Sequence, residues 1–444
     1  MTDTELTALT AIEAAELIAA GELTSEAYVG ACLDRIAAMD GDVRAFVHLD
    51  PDAALAQAQA LDERQRDGGP LGPLHGVPVG IKDIFDTADY PAECGSLALK
   101  GRRPREDAAA VARLRAAGAV IIGKTVTTEC AYFHPGPTRN PHDLTRTPGG
   151  SSSGSAAAVA AEMVPLAIGS QTNGSVIRPA AFCGVYGVKP THGTISRHGA
   201  MLLSRALDHV GTFARSLGDS ALLLEVLAGH DPHDPDTRPL AAPNFMAMTA
   251  DELEAPPRLA FVRTPVWDKA DAGTHAAFEA LAAELGDDVE EAALPDDIAA
   301  AWDDHRVVMA TDMAHNLGAM VARGGEAKSS EALRAILSEG AETSAVRYLA
   351  ARDHALRYRG AIAALLAGYD AILTPATVGV APVGEATGSP MFCSLWSLSG
   401  VPAVTLPLLK GEADMPLGVQ LIGAPGDDAR LLRTANWVVE QLTE

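Results

Sequence analysis

The chain has 444 residues, is 48% hydrophobic and carries a formal net charge of −24. That length and apolar content support one large α/β unit or two smaller ones and exclude disorder of the whole chain. The negative charge repels phosphate backbones and anionic lipid, which argues against direct nucleic-acid and membrane-surface binding. No apolar run approaches the ~20 residues that a bilayer span needs. The opening MTDTELTALTAIEAAEL has acids and neither a basic start nor a cleavable apolar stretch, so cytoplasmic residence is expected. Cys32, Cys94, Cys130, Cys183 and Cys393 are an odd, scattered set without CxxC, so neither a disulfide framework nor a zinc site is expected. Nothing calls for a cofactor or a metal.

Thr10 with Glu13 forms a capping-box pattern ahead of a helix that Gly21 can end, and Ser25 can cap a second helix to about Met39. Then come the apolar VPVGIKDIF (Val77 to Phe85), the helical DAAAVARLRAAG (Asp107 to Gly118) and the strand AVIIG (Ala119 to Gly123). A Gly/Ser stretch leads next into an alanine-rich helix. This alternation of strand and helix signals an α/β layer fold. A helix is expected around Ser216 to Ala228, followed by a Pro-, Asp- and Met-rich loop or boundary from about Asp231 to Leu259. Strand character restarts at RLAFV (Arg258 to Val262), Thr274 to Leu285 reads as helix, and Asp297 to Leu366 is largely helical. AILTP (Ala371 to Pro375), VPAVTLPL (Val401 to Leu408) and LGVQLIG (Leu417 to Gly423) are short apolar runs before a closing helix from Ala429. The chain therefore divides into N-terminal helices (1–65), a core (66–235), a mainly helical insertion (236–366) and a return to the core sheet (367–444), all within a single domain.

Ser175 sits in TNGS (Thr172 to Ser175) directly after the apolar run VPLAIG, on a turn at a strand's end. Glycine and asparagine tolerate positive φ, so successive N–H groups can point at one spot and cradle an oxyanion. An isolated NGS is otherwise an ordinary polar turn. Activating a serine requires a group that removes its proton, and a lysine serves only when neutral. Lys82, inside VPVGIKDIF, would be pushed toward neutrality by burial. Its alternatives are an exposed lysine or one paired with Asp83.

Three matches compete with this reading. Gly150 to Gly154 satisfies GxSxG, which would put Ser152 in charge, but RNPHDLTRTP before it is loop rather than the strand a nucleophile elbow requires. Gly118 to Thr125 satisfies GxxxxGKT, yet its intervening residues are themselves the strand, so phosphate cradling is not expected. His230, Asp231, His233, Asp234 and Asp236 are interrupted by Pro232 and Pro235 and read as a solvated loop.

Taken together, Lys82, TPGGSSSGSAAAVAA (Thr147 to Ala161) and GSQTNGSVIRPAAFCG (Gly169 to Gly184) closely resemble the amidase signature family. The spacing is also similar, with 69 residues from Lys82 to Ser151 and 24 from Ser151 to Ser175. GPLHGVPVGIKD, VKPTHG, DHVGTFARS and GVPAVTLPL extend the resemblance over nearly the whole chain, with about Pro243 to Leu366 as the exception. The resemblance implies a central twisted mixed β-sheet flanked by helices on both faces. It implies Ser175 as nucleophile, Ser151 as a proton relay following a cis peptide, Lys82 as base, and an oxyanion hole from the N–H groups of Thr172, Asn173, Gly174 and Ser175. Ser153 and the Thr172 hydroxyl are expected to support Lys82 and Ser151 by hydrogen bonds.

Many members read DTGGSIR where this chain reads QTNGSVIR, so Gln171 replaces an acid, Asn173 replaces a glycine, and Arg178 falls three residues after the serine. This form resembles the malonamidase-like branch, which implies a small, carboxylate-bearing amide as substrate. Arg178 is then either a clamp for that carboxylate or a partner of a core acid. The expected activity is hydrolysis of a small amide by a homodimer. The alternatives are the glutaminase/amidase component of a glutamyl-tRNA(Gln) amidotransferase, acting with partner proteins, and an inactive binding protein on the same fold.

Overall fold

The computed structural model describes residues 2–239, 243–251 and 253–443. Eleven strands build one sheet: β1 (Phe46–Leu49), β2 (Pro78–Lys82), β3 (Val120–Thr125), β4 (Leu166–Gln171), β5 (Tyr186–Lys189), β6 (His209–Ala214), β7 (Leu259–Val262), β8 (Val289–Ala292), β9 (Ala371–Pro375), β10 (Ala403–Lys410) and β11 (Pro416–Ile422). Their spatial order is β1-β3-β2-β4-β6-β5-β10-β11-β9-β7-β8. The β2–β3, β2–β4, β7–β8 and β7–β9 pairs are parallel and the remainder antiparallel, so the sheet is mixed. Every residue of β2, β3, β4, β6, β7 and β9 is buried, as strands covered on both faces require.

The N-terminal region follows its caps, with one shift. Thr10 and Glu13 form the reciprocal box ahead of helix Ala11–Ala19. The second helix, Ser25–Val43, is capped by Thr24, whose hydroxyl accepts the N–H of Ala27, and Ser25 is its first residue. Residues 236–366 supply the long helices Ala301–Gly324, Glu331–Glu342 and Ala345–Leu365, and also β7 and β8 at the sheet's edge. β8 reads Val-Glu-Glu-Ala and is half-exposed, so no apolar run marks it. No helix among the described residues is long and apolar enough to cross a membrane.

The loop around His230 is not the solvated loop expected. Asp231 and Asp234 are buried, and the Arg197 guanidinium reaches Asp234 at 2.7 Å and Asp236 at 2.6 Å. The carboxylates of Asp234 and Asp236 neutralise one buried arginine and Asp231 accepts the Ser196 hydroxyl, with Arg197 37 residues away from Asp234 and not revealed by spacing within the loop.

Close packing fixes how the serine-rich stretch enters the sheet. A Cβ on Gly154 would lie 2.1 Å from the Ala45 carbonyl and 2.4 Å from the Val126 nitrogen, both backbone atoms that cannot move cheaply. Gly154→Ala should therefore lower the unfolding free energy by about 2 kcal/mol or more in urea titrations. Gly30→Ala, in a helix with nothing within 4 Å of the new methyl, should be neutral or stabilising by up to ~1 kcal/mol. Equal effects would contradict this account of the packing.

Candidate active site

Lys82 ends β2 and Gln171 ends β4, and these neighbours run parallel, so the chain leaves both strands at the same edge of the sheet. Ligands bind characteristically outside the carboxyl ends of parallel strands. The Lys82 side chain is 0% exposed. Its Nζ lies 2.7 Å from Ser151 Oγ, 2.8 Å from Ser170 Oγ and 3.5 Å from the Ser170 carbonyl. Burial pulls the amine from 10.5 down to about 7, opposed by the negative charge of Asp208. Asp83 is not its partner: that carboxylate pairs at 3.0 Å with Lys124, which is equally buried on β3.

Each serine of the Gly/Ser stretch has its own acceptor. Ser151 follows a cis peptide from Gly150 and faces Lys82. Ser152 bonds the backbone of Ser170, whose N–H and carbonyl both lie 3.3 Å from its hydroxyl. Ser153 starts helix Ser153–Ala160 and donates to the Val126 carbonyl, while Ser155 exchanges a 2.7 Å bond with Thr125. The expected bond from Ser153 to the lysine is therefore not made, because its hydroxyl is turned to β3's exit. Thr172 also departs from expectation, donating at 2.6 Å to the carboxylate of Asp208, a stronger acceptor than a neutral hydroxyl. The second hydroxyl on Lys82 comes from Ser170.

Residues 172–176 form the turn between β4 and helix Ile177–Cys183. Gln171 holds both its sides. Its Oε1 accepts the N–H groups of Val176 and Ile177 at 2.9 and 3.0 Å, and its Nε2 donates to Ser397 at 3.0 Å. Ser397 in turn donates to the Asn173 carbonyl at 2.5 Å, and Ser394 donates to Asn173 Oδ1 at 2.7 Å. His305, neutral because burial lowers it to about 4, bonds the Thr172 carbonyl at 3.0 Å. The N–H groups of Thr172, Asn173, Gly174 and Ser175 have no acceptor among the described residues. Backbone donors inside a fold are seldom left so, and a run of N–H groups without acceptors is suited to holding negative charge.

Ser175 is 7% exposed and opens with Ser151 and Arg178 onto a cavity of about 20 Å³ walled by Tyr132, Phe133, Leu203 and Met309. Arg178 is 3% exposed. It donates to the carbonyls of Gly150 at 2.6 Å and Gly388 at 2.7 Å, lies 5.8 Å from the Phe133 ring centroid, and leaves Nε unpartnered. Burial lowers it to about 10, and no carboxylate pairs with it among the described residues. The expected alternative of a core acid is not realised.

Comparison with known proteins places this geometry. The sequence pattern described as Amidase matches residues 27–432. The chain belongs to the amidase family. A glutamyl-tRNA(Gln) amidotransferase subunit of Chloroflexus aggregans is 38% identical, over 98% of this chain and 96% of that protein. The corresponding protein of Acidothermus cellulolyticus is also 38% identical, over 96% and 92%. Among solved structures, peptide amidase from Stenotrophomonas maltophilia superposes with a TM-score of 0.86 at 32% identity, covering 98% of this chain and 97% of that one. A component of a vestigial protein complex bearing on the evolutionary origins of an s-triazine catabolic enzyme gives 0.90 at 32%, covering 97% and 98%. 6-Aminohexanoate cyclic dimer hydrolase gives 0.88 at 28%, covering 99% and 98%. As an amidase the chain is a hydrolase of amide C–N bonds.

Ser170, Asp208, His305, Ser394 and Ser397 complete the site beyond the residues read from sequence. Ser397→Ala should lower the unfolding free energy by about 1–3 kcal/mol, because it strands the Asn173 carbonyl and the buried Gln171 amide. Ser399→Ala removes only a bond to Leu395 within the same helix and should have the smaller effect in urea titrations. The reverse order would contradict the bridging role.

Proposed function

We propose that this amidase cleaves a small, carboxylate-bearing amide through an acyl-enzyme on Ser175. The observation that carries the reading is the fully buried Lys82 amine, held near neutrality at about 7 and 2.7 Å from Ser151 Oγ. A neutral amine has two N–H bonds and one lone pair. Ser170 offers acceptors to both N–H bonds, which leaves the lone pair for the Ser151 proton.

In this mechanism Lys82 Nζ takes the proton of Ser151, which takes that of Ser175 as Ser175 Oγ attacks the amide carbon. The carbonyl π pair becomes an oxyanion cradled by the N–H groups of Thr172, Asn173, Gly174 and Ser175. Collapse breaks the C–N bond, and the proton returns from Lys82 through Ser151 to the leaving nitrogen. Water enters by the same relay, and cleavage of the ester frees the acid and Ser175. The Arg178 guanidinium in the cavity wall, with no carboxylate partner among the described residues, suits a substrate carboxylate. Cytoplasmic residence and a homodimer belong to the same reading.

A second reading is favoured by the curated relatives: a component that releases ammonia from glutamine for a partner. It requires glutaminase activity that a partner stimulates. Malonamate, aryl-amide, biuret-like and glutamine substrates, run on the isolated chain and on Ser175→Ala, separate the two. Turnover of malonamate by the isolated chain, lost by a factor of ~10⁴ or more in Ser175→Ala, supports the proposal. Turnover undiminished in Ser175→Ala removes Ser175 as nucleophile.

The role of Arg178 has its own test. Arg178→Lys should lower kcat/KM for a carboxylate-bearing amide about 100-fold and for an uncharged amide of similar size less than ~10-fold. Equal losses on both would reduce Arg178 to a support for the Gly150 carbonyl.

A further inference from the structure

Away from the catalytic cavity, helix Ala345–Leu365 leaves one face uncovered. Val346, Leu349 and Leu356 are 79%, 59% and 70% exposed. Spaced by three and then seven residues, they lie in one stripe about 15 Å long. They are three of the nine large apolar side chains exposed among the described residues, so apolar exposure is concentrated here. Leu349 and Leu356 line a groove of about 600 Å³, with Leu207, Val308 and Leu398 among its other apolar walls. That volume is within the ~300–1,000 Å³ range of ligand-accepting clefts.

The charge on this helix runs against that of the chain. It carries four arginines, Arg347, Arg352, Arg357 and Arg359, and one aspartate, Asp353, in a protein of net charge −24. Arg347 is taken by Asp304 at 2.6 Å. Arg352 reaches the Tyr348 hydroxyl at 3.0 Å, and Arg352, Arg357 and Arg359 have no carboxylate partner among the described residues. Two of the groove's acids are engaged. Asp312 accepts the hydroxyls of Ser204 and Tyr348, and Asp236 pairs with Arg197 and Arg205. Arg352 and Arg357 therefore face solvent beside the apolar stripe, while Arg359 is half-buried in the groove wall, where Asp428 also acts on it.

We propose that this face docks an acidic, leucine-bearing helical segment of a partner protein. Apolar side chains of that segment would cover Val346, Leu349 and Leu356 and enter the groove, while its carboxylates meet Arg352, Arg357 and Arg359. A stripe about 15 Å long exceeds what a small anion would cover. A second copy of this chain using the same face would bring the excess positive charge of two such helices together. The proposal stands independently of the catalytic reading.

The test uses a fluorescein-labelled amphipathic peptide of about 20 residues, leucine along one face and glutamate on the other, and its counterpart with lysine for glutamate. Fluorescence anisotropy should show saturable, salt-sensitive binding of the glutamate peptide alone. Binding should weaken at least tenfold (about 1.4 kcal/mol) in Arg352→Glu/Arg359→Glu and in Leu349→Asp/Leu356→Asp, with amide hydrolysis unchanged as proof of folding. No binding, equal binding of both peptides, or undiminished binding by the variants overturns the proposal. So does sedimentation showing a dimer that Leu349→Asp/Leu356→Asp dissociates, which would assign the face to a second copy.

Discussion

The site depends on keeping one lysine amine buried without a carboxylate. Lys82, the last residue of β2, and Lys124, next to last on the parallel β3, are both fully buried, and their neighbours separate their chemistry. Lys124 has the Asp83 carboxylate at 3.0 Å as its partner. Lys82 has two serine hydroxyls and a carbonyl, so burial acts on it nearly unopposed and pulls it to about 7. The opposing charge, Asp208, has burial pushing its own pKa up to about 6, and its oxygens are occupied by Thr172 and the N–H groups of Leu203 and Ser204. Direct contact between that carboxylate and Lys82 would keep the amine charged and useless as a proton acceptor.

The departures QTNGSVIR make sense against the helix Met391–Leu398. An acid at position 171 could accept the N–H groups of Val176 and Ile177, but only an amide can also donate to Ser397. A glycine at 173 would have no side chain for Ser394 to hold. Gln171, Asn173, Ser394 and Ser397 thus form one network that fixes the turn from both sides. Preorganised donors serve an oxyanion best when the turn bearing them does not have to reorganise.

Much of this was legible in the sequence, within a definite limit. Lys82, Ser151 and Ser175 lie in motifs whose local composition reports their setting: an apolar strand, a Gly/Ser stretch entering a helix, a turn after a strand. The alternation of strand and helix likewise foretells the α/β sheet. The residues that hold the site lie far off, Ser394 and Ser397 more than two hundred positions from the turn and His305 133 positions from Thr172. A serine in a helix or a histidine in an amphipathic stretch gives no local sign of such a partner. β8 was hidden because an edge strand needs no apolar run, and Asp231 and Asp234 because their partners, Ser196 and Arg197, lie more than thirty positions away.

The most direct measurement is the titration of Lys82 itself. The chain has seven lysines, so ¹³Cε-labelled lysine gives a sparse NMR spectrum in which Lys82 is assigned by the signal lost in Lys82→Ala. The account predicts a midpoint near 7, several units below an ordinary lysine. A midpoint near 10 would mean that the buried amine stays charged at neutral pH, and the proton relay from Ser175 through Ser151 would have no acceptor.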